Sequence, residues 1–243
     1  EKDVLALLPT GGGKSICFQV PGIAREGITI VVSPLIALME DQVTQLQKRG
    51  IRAKALTSGL SFREIDILLD NAKFGGLDFL YISPERIQTR LFQERVKQMD
   101  IGLFVVDEAH CISQWGYDFR PSYLEIAAIR AYHPKVNVLA LTASATPQVC
   151  VDILEKLEMK KHQEFHQSFS RKNLSYSVRL VENKFEKGVE ILRRVPGTAI
   201  WYVRNRQATQ QIARSLMQLG FSAAAYHAGL SAEERSLRQE AWK

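Results

Sequence analysis

Cysteine is scarce in this chain: three occur in 243 residues, at Cys17, Cys111 and Cys150. No pair has the spacing of a zinc-ligand motif, and three scattered thiols build no disulfide framework. They read as buried free thiols of a reducing compartment. No run of about 18 apolar residues occurs, so no membrane-crossing helix is expected. Low-complexity tracts are missing too. With 46% hydrophobic and 24% charged residues, global disorder is excluded. The opening residues, Glu1-Lys-Asp-Val4, carry no signal-peptide pattern. They read as the approach to a strand, with the natural start expected upstream.

What is present is a repeating alternation of short apolar runs and amphipathic stretches, the pattern of a parallel α/β sheet. Strands are predicted at residues 4–8, 28–32, 53–56, 77–82, 103–106 and 138–141. Lys14 opens a helix that Pro21 should end or kink. Leu35, Leu38, Met39, Val43 and Leu46 fall at helical spacing, with Gly50 as the stop. Ser61 and Glu64 form a capping-box pattern. A further helix is expected across residues 84–98. Thr146-Pro147 reads as an N-cap followed by proline at the first helical position, giving a helix over 147–157.

Residues 160–174 have no clear period. The linker is placed at 166–175, after a first domain over 1–165. A second α/β pattern then begins and fills 176–243. Its strands are predicted at 176–180, 198–203 and 222–226, and its helices at 184–194, 207–219 and from Ser231 onward, again with a capping box. The chain stops inside that last helix, so this domain is expected to be incomplete. The length suffices for one good core plus part of a second.

Net charge is +6, a modest lean toward polyanions, but it is unevenly spread. Residues 1–159 hold 17 Lys+Arg against 19 Asp+Glu, whereas residues 160–243 hold 15 against 7. A basic second half suits phosphate contacts once other residues point to nucleic acid.

Two motifs carry the chemistry. Leu8-Pro-Thr-Gly-Gly-Gly-Lys-Ser15 follows a strand and opens a helix, the context of a phosphate-binding loop. Thr10 and Gly11, Gly12 and Gly13 let backbone N–H groups turn toward phosphate oxygens. Lys14 would reach the β and γ phosphates, and Ser15 would hold magnesium. Downstream, Val105-Val-Asp-Glu-Ala-His-Cys-Ile-Ser-Gln-Trp-Gly-Tyr-Asp-Phe-Arg-Pro-Ser-Tyr123 ends a strand on two adjacent carboxylates. Asp107 would hold magnesium through water, and Glu108 would orient the attacking water. Trp115, Phe119 and Tyr123 around Arg120 suit stacking on unpaired bases. Core aromatics are the competing reading. Their place in a loop between Gly116 and Pro121, beside Asp118 and Arg120, argues against it.

These motifs resemble those of RecQ-family DNA helicases. Asp107-Glu-Ala-His110 resembles the acidic ATPase box of the DExH helicases, and residues 111–121 resemble the aromatic-rich loop of the RecQ branch. The family pattern has His where this chain has Tyr117. The resemblance implies a P-loop NTPase with a RecA-like parallel sheet flanked by helices, followed by a second RecA-like domain. It implies ATP and Mg2+ as cofactors, and single-stranded and partly duplex DNA as partners. It gives His110 a coupling role toward Thr142-Ala-Ser-Ala-Thr146, which resembles helicase motif III. Ser33-Pro34 and Ser83-Pro84 resemble motifs Ia and Ib. Residues 200–206 resemble motif IV, and residues 226–230 resemble the next RecQ-like motif, which implies a phosphate contact for His227; a plain loop residue is the competing reading.

The implied activity is 3′ to 5′ translocation and unwinding in DNA repair and recombination. The location is cytoplasmic at the bacterial nucleoid or, in a eukaryote, nuclear, and a monomer is compatible with the pattern. The glutamine motif, the arginine-finger motifs and the zinc and winged-helix regions of the family lie outside these residues, so the isolated chain is expected to hydrolyse ATP poorly. Two alternatives stay open: a DExH RNA helicase or duplex translocase, and a non-catalytic nucleic-acid-binding module.

Overall fold

The computed structural model describes residues 2–57, 59–168 and 173–242. The chain divides into two compact units, residues 1–171 and 172–243. The first is built on seven strands: β1 (Asp3–Leu7), β2 (Ile28–Val32), β3 (Ala53–Leu56), β4 (Phe79–Ile82), β5 (Ile101–Val106), β6 (Val138–Thr142) and β7 (His162–His166). Their order is β3-β4-β2-β5-β6-β1-β7, and every neighbouring pair is parallel. A wholly parallel sheet puts all strand C-termini on one edge, where α/β proteins bind ligands. β2, β4 and β6 are buried at every position, as strands covered on both faces must be.

Side-chain alternation sorts the apolar residues into two cores. Ile30, Val32, Phe104 and Val106 face one side of the sheet, and Val31 and Val105 face the other. Helices α1 (Lys14–Ala24) and α2 (Ile36–Lys48) cover the Val31 side through Phe18, Met39, Val43 and Leu46. Helices α3 (Phe62–Lys73), α4 (Arg90–Val96), α5 (Ile126–Tyr132) and α6 (Pro147–Lys156) cover the opposite side through Leu69, Phe92, Ile129 and Ile153. Burying such a side chain contributes about 1.5–3 kcal/mol. The capping box at Ser61 and Glu64 forms as predicted, and Thr146 caps α6 by accepting the Val149 amide.

Cys111 and Cys150 are buried as expected, but Cys17 is exposed; four expectations about secondary structure are also corrected. Helix α1 runs past Pro21 to Ala24. The predicted 84–98 helix breaks into a 3-10 turn, Pro84–Gln88, and α4, because Thr89 is extended at φ −71°, ψ 132°. Part of the aperiodic stretch becomes β7, an edge strand in register with all of β1. Residues 169–172 of the expected linker lie outside the described residues.

The fourth correction concerns the second unit. Helices α7 (Lys184–Arg194), α8 (Arg206–Gln218) and α9 (Ala232–Trp242) form as predicted, but no strand forms among its described residues. Tyr176, Val178 and Leu180 are 89%, 102% and 104% exposed. A strand is stabilised by its ladder and by packing of a buried face, and these residues have neither. The unit does have a small packed centre. Trp201 stacks on Phe185 with ring centroids 5.8 Å apart, and a Cβ at Gly188 would collide with the Trp201 ring.

Candidate nucleotide site and aromatic loop

The glycine-rich loop leaves the C-terminal end of β1 and turns directly into α1. Its base is pinned to the tip of β6, where the Leu8 amide donates to the Thr142 carbonyl at 3.0 Å. Gly11 and Gly13 have φ of 75° and 80°, values that favour glycine. The Gly12 amide donates to the Pro9 carbonyl at 2.8 Å, and a Cβ on Gly12 would come within 2.8 Å of that same oxygen. The glycines are therefore required by geometry. The resulting turn opens directly into the N-terminus of α1, a setting that attracts phosphate. Thr10 lies in this loop, and Ser15 is the second residue of α1.

The acidic box sits at the tip of β5. Asp107 is 4% exposed, and its amide donates to the Val32 carbonyl at 2.9 Å. Burial, reinforced by the neighbouring Glu108 charge, raises its carboxyl pKa to about 6, against the opposing pull of Lys14. Glu108 adopts a left-handed conformation, φ 47° and ψ 46°, which costs a non-glycine residue roughly 1–2 kcal/mol. Strain of this kind persists where surrounding contacts over-determine it. Here the Glu108 amide donates to Asp107 Oδ1 at 3.0 Å, and its carbonyl accepts the Cys111 amide at 2.9 Å.

The Glu108 carboxylate joins the two motifs. Lys14 Nζ donates to Oε1 at 2.9 Å, and His110 Nδ1 lies 3.3 Å from Oε2. His110 Nδ1 is also 2.9 Å from Thr142 Oγ1. Burial lowers the pKa of His110, with the Glu108 charge opposing, so the ring is predominantly neutral near pH 7. One path of close contacts thus runs from Lys14 through Glu108 and His110 to Thr142 at the end of β6.

The aromatic loop divides into an exposed crest and a fixed root. Trp115 and Tyr117 are 75% and 99% exposed, and Phe119 is half-buried. A Cβ on Gly116 would collide with the His110 carbonyl, so this glycine allows the loop to fold against the acidic box. Two residues expected to contact nucleic acid are placed differently. Tyr123 is 0% exposed and donates its hydroxyl to the Asp107 carbonyl at 2.9 Å. Its ring is enclosed in the core and is not offered to a base; the residue instead holds the backbone of the acidic box. Arg120, partly exposed, engages three of its N–H donors with protein acceptors. Nη1 donates to the Pro34 carbonyl at 3.0 Å, while Nε and Nη2 donate to Asp118 Oδ2 at 3.1 and 3.0 Å.

Arg120 thereby links the loop to the Ser33-Pro34 segment, and Ser122 links it to the next one by donating to Glu85 Oε1 at 3.1 Å. Ser33 Oγ is buried and has no partner among the described residues. His227 belongs to the second unit, where Nε2 lies 3.3 Å from Gln210 Nε2. Among the described residues no group of three His, Cys, Asp or Glu is arranged to hold a metal. Sequence reasoning missed Tyr123 as a hydrogen-bonding core residue. The signal available was its place three residues beyond Arg120, at the start of the next apolar run rather than on the loop crest.

The profile of the DEAD/DEAH box helicase family matches residues 1–153. Among curated relatives, the ATP-dependent DNA helicase RecQ of Pasteurella multocida is 40% identical over 246 residues, covering 100% of this chain and 38% of the relative. The RecQ of Bacillus subtilis is 42% identical over 244 residues, covering 99% of this chain and 41% of the relative. The chain therefore spans about two fifths of the length of these relatives. The solved structure of Mycobacterium smegmatis helicase Lhr bound to ssDNA and AMP-PNP matches with a TM-score of 0.68 at 16% identity, over 98% of this chain and 36% of that one. The Pyrococcus furiosus Hef helicase domain matches with a TM-score of 0.52 at 19% identity, over 99% of this chain and 50% of that one. These two likenesses establish the helicase α/β fold alone. The profile match over more than half of its length shows that the chain belongs to the DEAD/DEAH box helicase family, and the curated relatives liken it to the RecQ branch.

Proposed function

We propose that this chain is the motor core of an ATP-dependent DNA helicase, coupling ATP hydrolysis to 3′ to 5′ movement on single-stranded DNA. The observation that carries the reading is the 2.9 Å contact between Lys14 and Glu108, which puts a phosphate cradle and a carboxylate pair at one sheet edge. Residues 176–243 are the start of the second helicase domain in this reading. Residues 1–165 are the nucleotide-binding domain.

The residues present fit magnesium. The donor set of Ser15 and Asp107 is hard oxygen, and magnesium uses one or two carboxylates plus phosphates and waters rather than a dedicated cage. Asp107, raised to about 6 by burial beside Glu108, is a carboxylate whose ionised form a cation would favour. When bound, the ion neutralises charge on the β and γ phosphates. Lys14 exchanges Glu108 for phosphate as the triphosphate enters the loop. Glu108, released on that side, accepts a proton from the water whose oxygen bonds to the γ phosphorus; the bond to the β–γ bridging oxygen breaks, and ADP and inorganic phosphate are the products. Neutral His110 carries the displacement of Glu108 to Thr142. The exposed Trp115 ring and the Phe119 edge stack on unpaired bases, worth about 1–3 kcal/mol per base.

The test is ATP turnover, by a protein extended through the family motifs that lie outside these residues, with oligodeoxythymidine and with oligouridine. Stimulation by the DNA strand, lost in Trp115→Ala, is expected. Equal or greater stimulation by RNA would favour an RNA helicase. Nucleic-acid binding with no nucleotide binding at all would favour a non-catalytic module.

A further inference from the structure

The root of the aromatic loop is tied to helix α6 by polar groups that the phosphate chemistry does not use. Ser113, 0% exposed, donates its hydroxyl to Asp152 Oδ2 at 2.5 Å. The same Oγ accepts the Trp115 amide at 3.1 Å. Lys156 Nζ lies 3.4 Å from Asp152 Oδ2 and donates to the Ile112 carbonyl at 3.2 Å. An ionised carboxylate only accepts, so the Ser113 hydroxyl hydrogen must point at Asp152. That leaves its lone pairs for the amide of the residue carrying the exposed indole. Asp152 is not needed to start the helix, because Thr146 already caps α6. It is 9% exposed on a helix that otherwise buries Val149, Cys150 and Ile153, where an apolar residue would be the simpler filling.

The position of α6 makes this contact informative. The helix follows immediately from residues 142–146, and Thr142 already touches His110. The short turn Ala109–Ile112 between acidic box and aromatic loop is therefore flanked by two ties to one segment: His110 to Thr142, and Ser113 to Asp152.

We propose that Asp152, with Ser113 and Lys156, is a positioning device that sets the placement of the Trp115 loop according to the placement of residues 142–146 and α6. The inference rests on the reading of that loop as a single-stranded DNA contact. Asp152 touches no reacting atom; it acts through Ser113 on the Trp115 backbone.

The experiment compares Asp152→Ala, Ser113→Ala, Ser113→Thr and Trp115→Ala. Anisotropy reads affinity for labelled oligodeoxythymidine, a fluorescent ATP analogue with magnesium reads nucleotide affinity, and hydrogen exchange reads the amides of residues 114–120. Asp152→Ala and Ser113→Ala should weaken the oligonucleotide at least about fivefold, the scale of one lost stacking contact. Nucleotide affinity should stay within about twofold, the Trp115 amide should exchange faster, and Ser113→Thr should restore both. If Trp115→Ala weakens DNA binding while Asp152→Ala does not, the positioning role is overturned and the DNA-contact reading stands. If Trp115→Ala changes nothing, the DNA-contact reading fails and takes the proposal with it. Equal loss of nucleotide and DNA affinity with faster exchange across β5 and β6 would mark Asp152 as a structural support only, which also overturns it.

Discussion

The two units of this chain carry the same kind of sequence pattern and reach different structures. In the first, every predicted strand forms and β2 and β3 match their predicted limits. In the second, the three helices form and none of the predicted strands does. Helices satisfy their backbone within one segment, so capping residues and spacing suffice to place them. Strands need partners. Residues 28–32 have β4 and β5 on either side, whereas Val178 and Leu180 stand fully exposed. The capping boxes make the contrast sharp, because Ser61–Glu64 and Ser231–Glu234 close in the same way in both units.

Substitutions in matched places would test this contrast. The largest effect is expected in the first core: Phe92→Ala, at 1% exposure, should cost about 3–5 kcal/mol in urea unfolding. Leu180→Ala in the second unit should stay within about 0.5 kcal/mol. A comparable loss at Leu180 would show that its segment is packed after all. Next comes Tyr123→Phe, which removes the donor to the Asp107 carbonyl and should cost about 1–3 kcal/mol. It should also lower nucleotide affinity, because the left-handed Glu108 loses one of the contacts beside it.

A pH effect follows at smaller scale. The Ser113 hydroxyl, with help from Lys156, holds the Asp152 carboxyl below its ordinary 3.8. The folded chain therefore binds this proton less tightly than the unfolded chain. The contact stabilises above 3.8 and is lost as pH falls below 3.8 through the lower folded value. The stability gap between the native protein and Asp152→Asn should be constant near neutrality and should close in acid. A gap that widened in acid would contradict the assignment. Smallest are the caps: Ser61→Ala and Ser231→Ala should each cost about 0.5–2 kcal/mol of local helix stability, read by hydrogen exchange in α3 and α9.

Much of the site was legible because its chemistry forces unusual residues into fixed order. Three successive glycines before Lys14 and two carboxylates at the end of an apolar run mark the candidate site in the sequence, and the structure brings Lys14 and Glu108 together. Position along the chain could not reveal what depends on the third dimension. Tyr123 and Trp115 are both aromatics of one loop region, yet one is enclosed and the other exposed. Only the packing of the Pro121–Glu125 turn against the sheet distinguishes them. The hydrogen bond from Arg120 to the Pro34 carbonyl, 86 positions away, has no signal in the sequence either. Strand β7 was missed because an edge strand whose residues are nearly all exposed carries no burial period. The tie between Asp152 and Ser113 has no sequence signal, since the two are 39 positions apart.

The most direct measurement is calorimetric titration of ATP with magnesium into the native protein and into Lys14→Ala. The account predicts magnesium-dependent binding in the native protein and a loss of at least about tenfold in the variant, the equivalent of one charge-assisted contact. Equal affinity in both proteins, or binding indifferent to magnesium, would contradict the assignment of this sheet edge as a nucleotide site.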